Sequence, residues 1–489
     1  MGRISGLLAV RAAARPDEVA FLDGTDGREL SWRAVASAAQ RWRSLAHDLP
    51  PRTRMGLVAA DPLAFTSAYL GCLAAGLTAV PVDPRLPAAE LDATLDRLRT
   101  AVVATDRPDL VPRRPAWVLG RGGPRPVRAT RPRPAGTAVR PAVLLTSSGT
   151  TGAPKGIPLS EWQLLHTARR VARHHRLGPG ERGYTPLPLF HVNAQVMGLL
   201  ATVVGGGSLV VDQRFSAGEY WDRVTRWAPT WLNTVPAILA SLARRPAPPA
   251  AVADRIRFAR SASAPLSPGI ARRFTARTGI GVLETYGMSE AAGQITANPL
   301  DPALRRAGSV GLPVGVGLVV AAPDGTALPP GERGEVRLRG RQVVSRYLDL
   351  DGPGERIRPA RGADGWLSTG DVGVRDADGY LTLDGRVDDV INRGGEQIYP
   401  REIEDVLLAH PAVGTAAVVG APDERLGQVP VAFVTAASAA GLERALQDWC
   451  GHRLPRHKRP AVIEVTAALP LGPTGKVLRR ELRVEAGGR

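Results

Sequence analysis

Over the first hundred residues, short apolar runs bounded by Gly or Pro alternate with segments whose apolar residues recur at helical spacing. Gly56 to Ala60 and Ala79 to Val82 read as buried strands, and Trp32 to Leu45 and Phe65 to Leu77 as helices. Parallel strands need crossover helices of this kind, so the pattern predicts an α/β fold with largely parallel sheets. It resumes after a Pro-, Gly- and Arg-rich stretch, Arg107 to Arg140, which reads as a linker, and continues to about Leu283. From about 308 to 383 short strands between Gly, Pro and Asp turns predict a β-rich subdomain. The remainder carries its own helices (Pro400 to Leu408, Leu442 to Cys450) and strands (Thr415 to Val419, Val429 to Val434), enough for a small α+β domain. The expected organisation is a large N-terminal domain of mixed α/β sheets over 1–385, a connector over 386–389 and a small C-terminal domain over 390–489.

With 44% apolar residues the chain can build large cores, but no run of eighteen uncharged apolar residues occurs. The longest, Val196 to Val204, is stopped by Gly205 to Gly207, so no membrane span is expected. Met1 to Arg15 holds no continuous signal-type apolar region, and Cys72 and Cys450 offer no metal-ligand or disulfide spacing, which fits the cytoplasm. The net charge of +17 is spread along the chain instead of gathered on one face, which argues against nucleic acid and suits small polyanions. Of 63 basic residues only Lys155, Lys458 and Lys476 are lysines. Where arginine fills nearly every cationic position, a lysine in a Gly/Pro loop marks a place for a compact point charge that a planar guanidinium cannot enter. Lys155 and Lys476 both sit in such loops.

Lys155 closes the loop Thr146-Ser147-Ser148-Gly149-Thr150-Thr151-Gly152-Ala153-Pro154-Lys155-Gly156. The loop follows a predicted strand, Val143 to Leu145, and precedes a helix capped by Ser160. Hydroxyls, glycines that let backbone N–H groups approach, and one lysine are the parts of a phosphate cradle. Pro154, and Gly156 after the lysine, separate it from a Walker A loop.

This loop resembles the signature of the adenylate-forming superfamily of acyl-CoA synthetases, peptide-synthetase adenylation domains and luciferases. Further blocks follow in the same order. Pro188-Leu189-Phe190-His191-Val192-Asn193 resembles the block bordering the acyl pocket. Ser261-Ala262-Ser263-Ala264-Pro265-Leu266 resembles the segment beside adenine, and Glu284-Thr285-Tyr286-Gly287-Met288-Ser289-Glu290 the Tyr-Gly-Met-Thr-Glu block. Ser368-Thr369-Gly370-Asp371 resembles the ribose block, Gly385-Arg386-Val387-Asp388-Asp389 the hinge, Asn392-Arg393-Gly394-Gly395-Glu396 the glycine loop, and Pro473-Thr474-Gly475-Lys476 the C-terminal lysine loop.

The resemblance implies that a carboxylate attacks the α-phosphorus of ATP and that a thiol then takes the acyl group. Both first reactants are anions, so positive charge and positioning dominate the requirement. It implies Lys476 on the acid and α-phosphate, and Ser289, Lys155 and the loop hydroxyls (Thr146, Ser147, Ser148, Thr150, Thr151, with Gly149) on phosphate. Glu290 is expected on Mg²⁺, Asp371 and Arg386 on ribose or phosphate, and Ser263, Ala264, Pro265, Glu284, Tyr286 and Gly287 around adenine. His191, Asn193, Ala291 and Gly293 would line the acyl pocket. Gly394 and Gly395 would clear the path of a pantetheine arm once the small domain, turning about Asp388, has withdrawn Lys476. Taken singly, Asp371 and Arg386 read as a turn cap and a surface cation, and the glycine pair as a tight turn.

The blocks 284–298 and 392–404 are most similar to acyl-CoA ligases that include oxalate–CoA ligase. Asn193 and Gly293 stand where the oxalate type places histidines, which implies a monocarboxylic acid with an apolar body entering the space left at 293. No carrier domain follows Lys476, so a freestanding enzyme using coenzyme A is expected. Loading of an acyl-carrier protein, activation of another oxyacid such as nitrite, and a serine hydrolase built on Gly287-Met288-Ser289-Glu290-Ala291 remain open.

Overall fold

The computed structural model describes residues 3–120, 123–127, 139–147, 155–350, 355–436, 438–439, 441–472 and 476–487. Among these the strands form three sheets, of thirteen, nine and five strands. Parallel strands make the middle of the first, including Arg182–Thr185, Trp231–Thr234, Phe258–Ser261 and the first part of Val282–Met288. The nine-stranded sheet has a parallel core around Arg54–Val58 and Thr78–Pro81, with antiparallel strands outside it.

The helices form where the apolar spacing puts them. Trp32–Leu45 is capped by the Ser31 hydroxyl and buries Trp32, Val35, Ala38, Ala39 and Trp42. Glu161–His174 starts with a capping box between Ser160 and Gln163 and buries Leu164, Leu165, Ala168 and Val171.

Two stretches differ from the sequence reading. Part of the expected linker is a hairpin, Ala116–Gly120 with Gly123–Pro126, at one edge of the nine-stranded sheet. Pro124 and Pro126 are tolerated there because an edge strand can leave a donor unused. The β-rich stretch divides. Ser309–Pro313, Gly317–Ala321, Arg333–Arg339, Leu367–Arg375 and Leu381–Arg386 extend the thirteen-stranded sheet, while Arg346–Asp349 and Arg356–Pro359 extend the nine-stranded one.

The five-stranded sheet belongs to the C-terminal part, built on the long pair Val413–Asp423 and Gly427–Ala436. Arginines join this part to the rest. Arg401 Nη2 donates to the Leu266 carbonyl at 3.2 Å, Arg244 to that of Val413 at 2.7 Å, and Arg273 to that of Leu408 at 2.9 Å. No helix among the described residues is long and apolar enough to cross a membrane.

Candidate active site

The predicted site residues gather where the parallel strands of the large sheet end. Open α/β sheets bind ligands at the carboxyl ends of their strands. His191 and Asn193 follow Arg182–Thr185, Ser263 to Pro265 follow Phe258–Ser261, and Ser289 and Glu290 follow Val282–Met288. Ser263 has a φ of +74°, an unusual conformation for a residue with a side chain, and its hydroxyl accepts from Asn193 Nδ2 at 3.0 Å.

Asp371 and Arg386 lie directly opposite each other on adjacent antiparallel strands and pair at 3.1 Å. The Tyr286 hydroxyl donates to the other Asp371 oxygen at 2.5 Å. Burial pushes the Asp371 carboxyl up, while Arg386, Tyr286 and Lys476 pull it down. Although Lys476 is exposed, partial loss of solvent around its ammonium lowers its pKa; Arg386 adds to this, and Asp371 and Asp389 oppose it. Lys476 is thus within electrostatic reach of the Asp371 and Arg386 pair.

Lys155 begins the strand Lys155–Leu159, and its ammonium meets Glu290 Oε1 at 3.2 Å. Glu290 is 5% exposed. Tyr347, which the sequence reading missed, completes this group. Its hydroxyl donates to Glu290 Oε1 at 3.3 Å, and Lys155 Nζ stands 3.9 Å from its ring centroid. Tyr347 comes from the strand Arg346–Asp349, which pairs with Lys155–Leu159, a juxtaposition invisible without the sheet. Ser148, Gly149, Thr150 and Thr151 lie outside the described residues, as do Pro473, Thr474 and Gly475.

Glu284 is buried near Arg401 and Asp405 of the C-terminal part, and burial raises its carboxyl to about 7 against the pull of Arg401. The C-terminal part is held at 386–389 by Arg483, which donates to the Asp388 carbonyl at 3.0 Å and pairs with Asp389 at 2.5 Å. Gly394 and Gly395, both at positive φ, form the exposed two-residue tip of the hairpin Ile391–Arg393 and Glu396–Ile398. That turn alone requires residues free to adopt positive φ. A side-chain Cβ at Gly395 would have nothing within 4 Å.

On the acyl side, burial lowers His191 to about 4, and its Nε2 is buried without a hydrogen-bond partner. Asn193 opens a π-helix, Asn193–Leu200, a rare form that is frequent at functional sites. The space expected at Gly293 is filled: a Cβ there would lie 2.0 Å from Met197 Cε of that helix. Ala291 and Ala292 beside it are fully buried. A second residue missed in the sequence is Arg260, 2% exposed on Phe258–Ser261, whose Nη1 donates to Asn193 Oδ1 at 2.9 Å and Asn233 Oδ1 at 2.8 Å. Nothing local in the short strand Phe258–Ser261 marks it out.

This arrangement puts cations, hydroxyls and a buried carboxylate close together, as a polyanion would require. Residues 8–348 match the AMP-binding enzyme family, and 402–476 match the AMP-binding enzyme C-terminal domain. A sulfoacetate–CoA ligase of Cupriavidus necator is 40% identical, covering 98% of this chain and 97% of its own. A feruloyl-CoA synthase of an Amycolatopsis species is 32% identical over 94% and 93% of the two chains. The crystal structure of ATP-bound MatB from Rhodopseudomonas palustris superposes with a TM-score of 0.87 at 27% identity, covering 99% of each chain. The chain therefore belongs to the adenylate-forming AMP-binding enzymes, and within them to the AMP-forming acid–thiol ligases.

Proposed function

We propose that the enzyme joins an acid to AMP at the Tyr286, Asp371, Arg386 and Lys476 cluster and then passes the acyl group to the thiol of coenzyme A. The observation that carries this reading is the electrostatic influence of Asp371 and Arg386 on Lys476, while Gly394 and Gly395 lie in an exposed hairpin. An oxygen of the acid attacks the α-phosphorus of ATP, and the bond from that phosphorus to the bridging oxygen breaks as pyrophosphate leaves. Lys476 draws the two anions together and offsets the charge that builds on the α-phosphate oxygens. Asp371, able only to accept when ionised, holds the ribose hydroxyls, and Arg386 fixes its orientation. Tyr286 gives adenine a face, flanked by Ser263, Ala264, Pro265 and Gly287.

Lys155 holds the β and γ phosphates with the loop hydroxyls, and Ser289 donates to a phosphate oxygen. Among the described residues no three metal-ligating side chains stand together, but one buried carboxylate, Glu290, fits Mg²⁺. That ion takes few protein ligands and keeps water and phosphate oxygens. Glu290 would hold it, and the ion would supply charge neutralisation on the phosphates.

In the second step the small domain turns about Asp388 and carries Lys476 away. The coenzyme A sulfur attacks the acyl carbon, the carbon–oxygen bond to phosphate breaks, and AMP leaves. Gly395 gives the pantetheine arm room. Relatives whose names span sulfoacetate and ferulate support this shared chemistry and leave the acid to be read from the pocket. The test is acid-dependent pyrophosphate release measured with and without coenzyme A, with the thioester identified by mass. Multiple turnovers only with coenzyme A, giving AMP and thioester, are expected. ADP formation, or release independent of any acid, would overturn the reading.

A further inference from the structure

Arg260, Asn233 and Thr185 form a row across three neighbouring parallel strands near their carboxyl ends. Arg260 pairs in register with Asn233, whose Nδ2 in turn donates to Thr185 Oγ1 at 3.3 Å. The π-helix bearing Asn193 and Met197 closes over this row, since Asn193 Oδ1 accepts from both Arg260 and Asn233. Arg260 is almost completely buried, yet no carboxylate pairs with it among the described residues. Its side-chain partners among the described residues are neutral amide oxygens, and its Nε is buried with no partner. Burial alone brings its guanidinium down to about 9, with no acid opposing the shift.

A buried cation without a counter-charge is among the costliest groups a protein interior can hold. If tying Asn193 to Asn233 were its only task, a neutral donor would perform it without that cost. The position is also at the strand ends, beside a pocket residue, where ligands of such sheets bind. An apolar acid entering there would leave the charge as it is. An anion would neutralise it and could bond the free Nε. Met197 occupies the space beside Gly293 that a longer acid would otherwise enter.

We propose that the acid activated by this enzyme is short, one or two carbons between its ends, and carries a second anionic group, a carboxylate or sulfonate, recognised by Arg260. The proposal rests on the acid-activating reading above and names the substrate class of the same site. Arg260 sets specificity, with Asn193 and Asn233 orienting its guanidinium, and Met197 sets length.

The test begins with the unaltered enzyme and acid-dependent pyrophosphate release. The probes are malonate and 2-sulfoacetate as short dianions, acetate and butyrate as short monoanions, and hexanoate and cinnamate as larger apolar acids. A site built around a buried charge discriminates strongly against a ligand that leaves it unpaired. At least one short dianion should exceed every monoanion in kcat/KM by about a hundredfold or more. Arg260→Gln should bring that ratio close to one, mainly through KM for the dianion, and Arg260→Lys should retain part of it. Met197→Ala should extend acceptance to glutarate. Preference for hexanoate or cinnamate would overturn the inference while leaving acid activation intact. A dianion preference that survives in a folded Arg260→Gln enzyme would overturn the role of Arg260. Failure of every acid to release pyrophosphate would overturn the acid-activating reading itself, and this inference with it.

Discussion

Among the residues proposed to hold the nucleotide the charges face one another: Lys155 meets Glu290, and Arg386 meets Asp371, whose other oxygen takes the Tyr286 hydroxyl. On the side proposed for the acid, Arg260 meets only amide oxygens among the described residues. Paired charges keep a site charged and ordered before its ligand arrives, and ATP brings its own charge to redistribute among them. An unpaired buried cation cannot be maintained cheaply, so its neutralisation is left to whatever the pocket admits. Under the proposed roles the two sides would divide the labour, one holding ATP and the other choosing the acid.

The comparison can be broken most sharply at Lys476, which the account puts on the nucleotide side only for the first step. Lys476→Ala should slow adenylate formation by about 10²–10³-fold, the usual effect of removing one group that stabilises developing charge. Thioester formation from supplied acyl-adenylate should stay near the unaltered rate. Equal losses in both half-reactions would remove the assignment. Gly395→Leu should show the opposite split, with thioester formation falling by roughly tenfold or more and pyrophosphate exchange persisting. The turn strain at positive φ acts on both steps alike, so a balanced loss would mean that the glycine serves the hairpin only.

A smaller effect is expected at the connector. Asp388→Pro restricts φ where Arg483 now clasps the carbonyl. Overall turnover should fall several-fold while adenylate formation continues, as followed by single-turnover quench; unchanged turnover would place the pivot elsewhere.

Least effect on catalysis is expected from Glu284→Gln, which probes stability. The fold raises the Glu284 carboxyl from an ordinary 4.5 to about 7. A raised carboxyl favours the folded protein fully below about pH 4.5, and that contribution is lost as pH rises through about 7. The variant should therefore gain on the unaltered enzyme between these values, by on the order of 3 kcal/mol at most. Melting curves across pH 4 to 8 would show it, and a difference independent of pH would contradict the burial argument.

The residues proposed for the nucleotide could be singled out in the sequence because they sit in short local blocks. Asp371 and Arg386 needed only the register of two strands to meet. Helices with strong apolar periodicity, Trp32–Leu45 and Pro400–Leu408, fall on the residues expected. The hairpin at Ala116–Gly120 was hidden by a Gly-, Pro- and Arg-rich composition that an edge strand tolerates. The acid side was read least well. In a chain whose basic residues are nearly all arginine, nothing local distinguishes Arg260, because what matters is the partner it lacks. Gly293 read as open space because a sequence shows a missing side chain, not the Met197 that a distant π-helix brings to fill it. Tyr347 reaches Lys155 and Glu290 only through the pairing of two strands far apart in the chain.

In the proposed reaction the acid joins AMP through its own oxygen. The most direct measurement uses the best acid from the panel, labelled with ¹⁸O in its reacting carboxylate, with ATP and coenzyme A, and mass analysis of the products. One labelled oxygen should appear in the phosphate of AMP, carried there when the thiol displaces it, and none in pyrophosphate. Label in pyrophosphate or inorganic phosphate, or AMP without label, would contradict an acyl-adenylate and with it the roles given to both sides of the site.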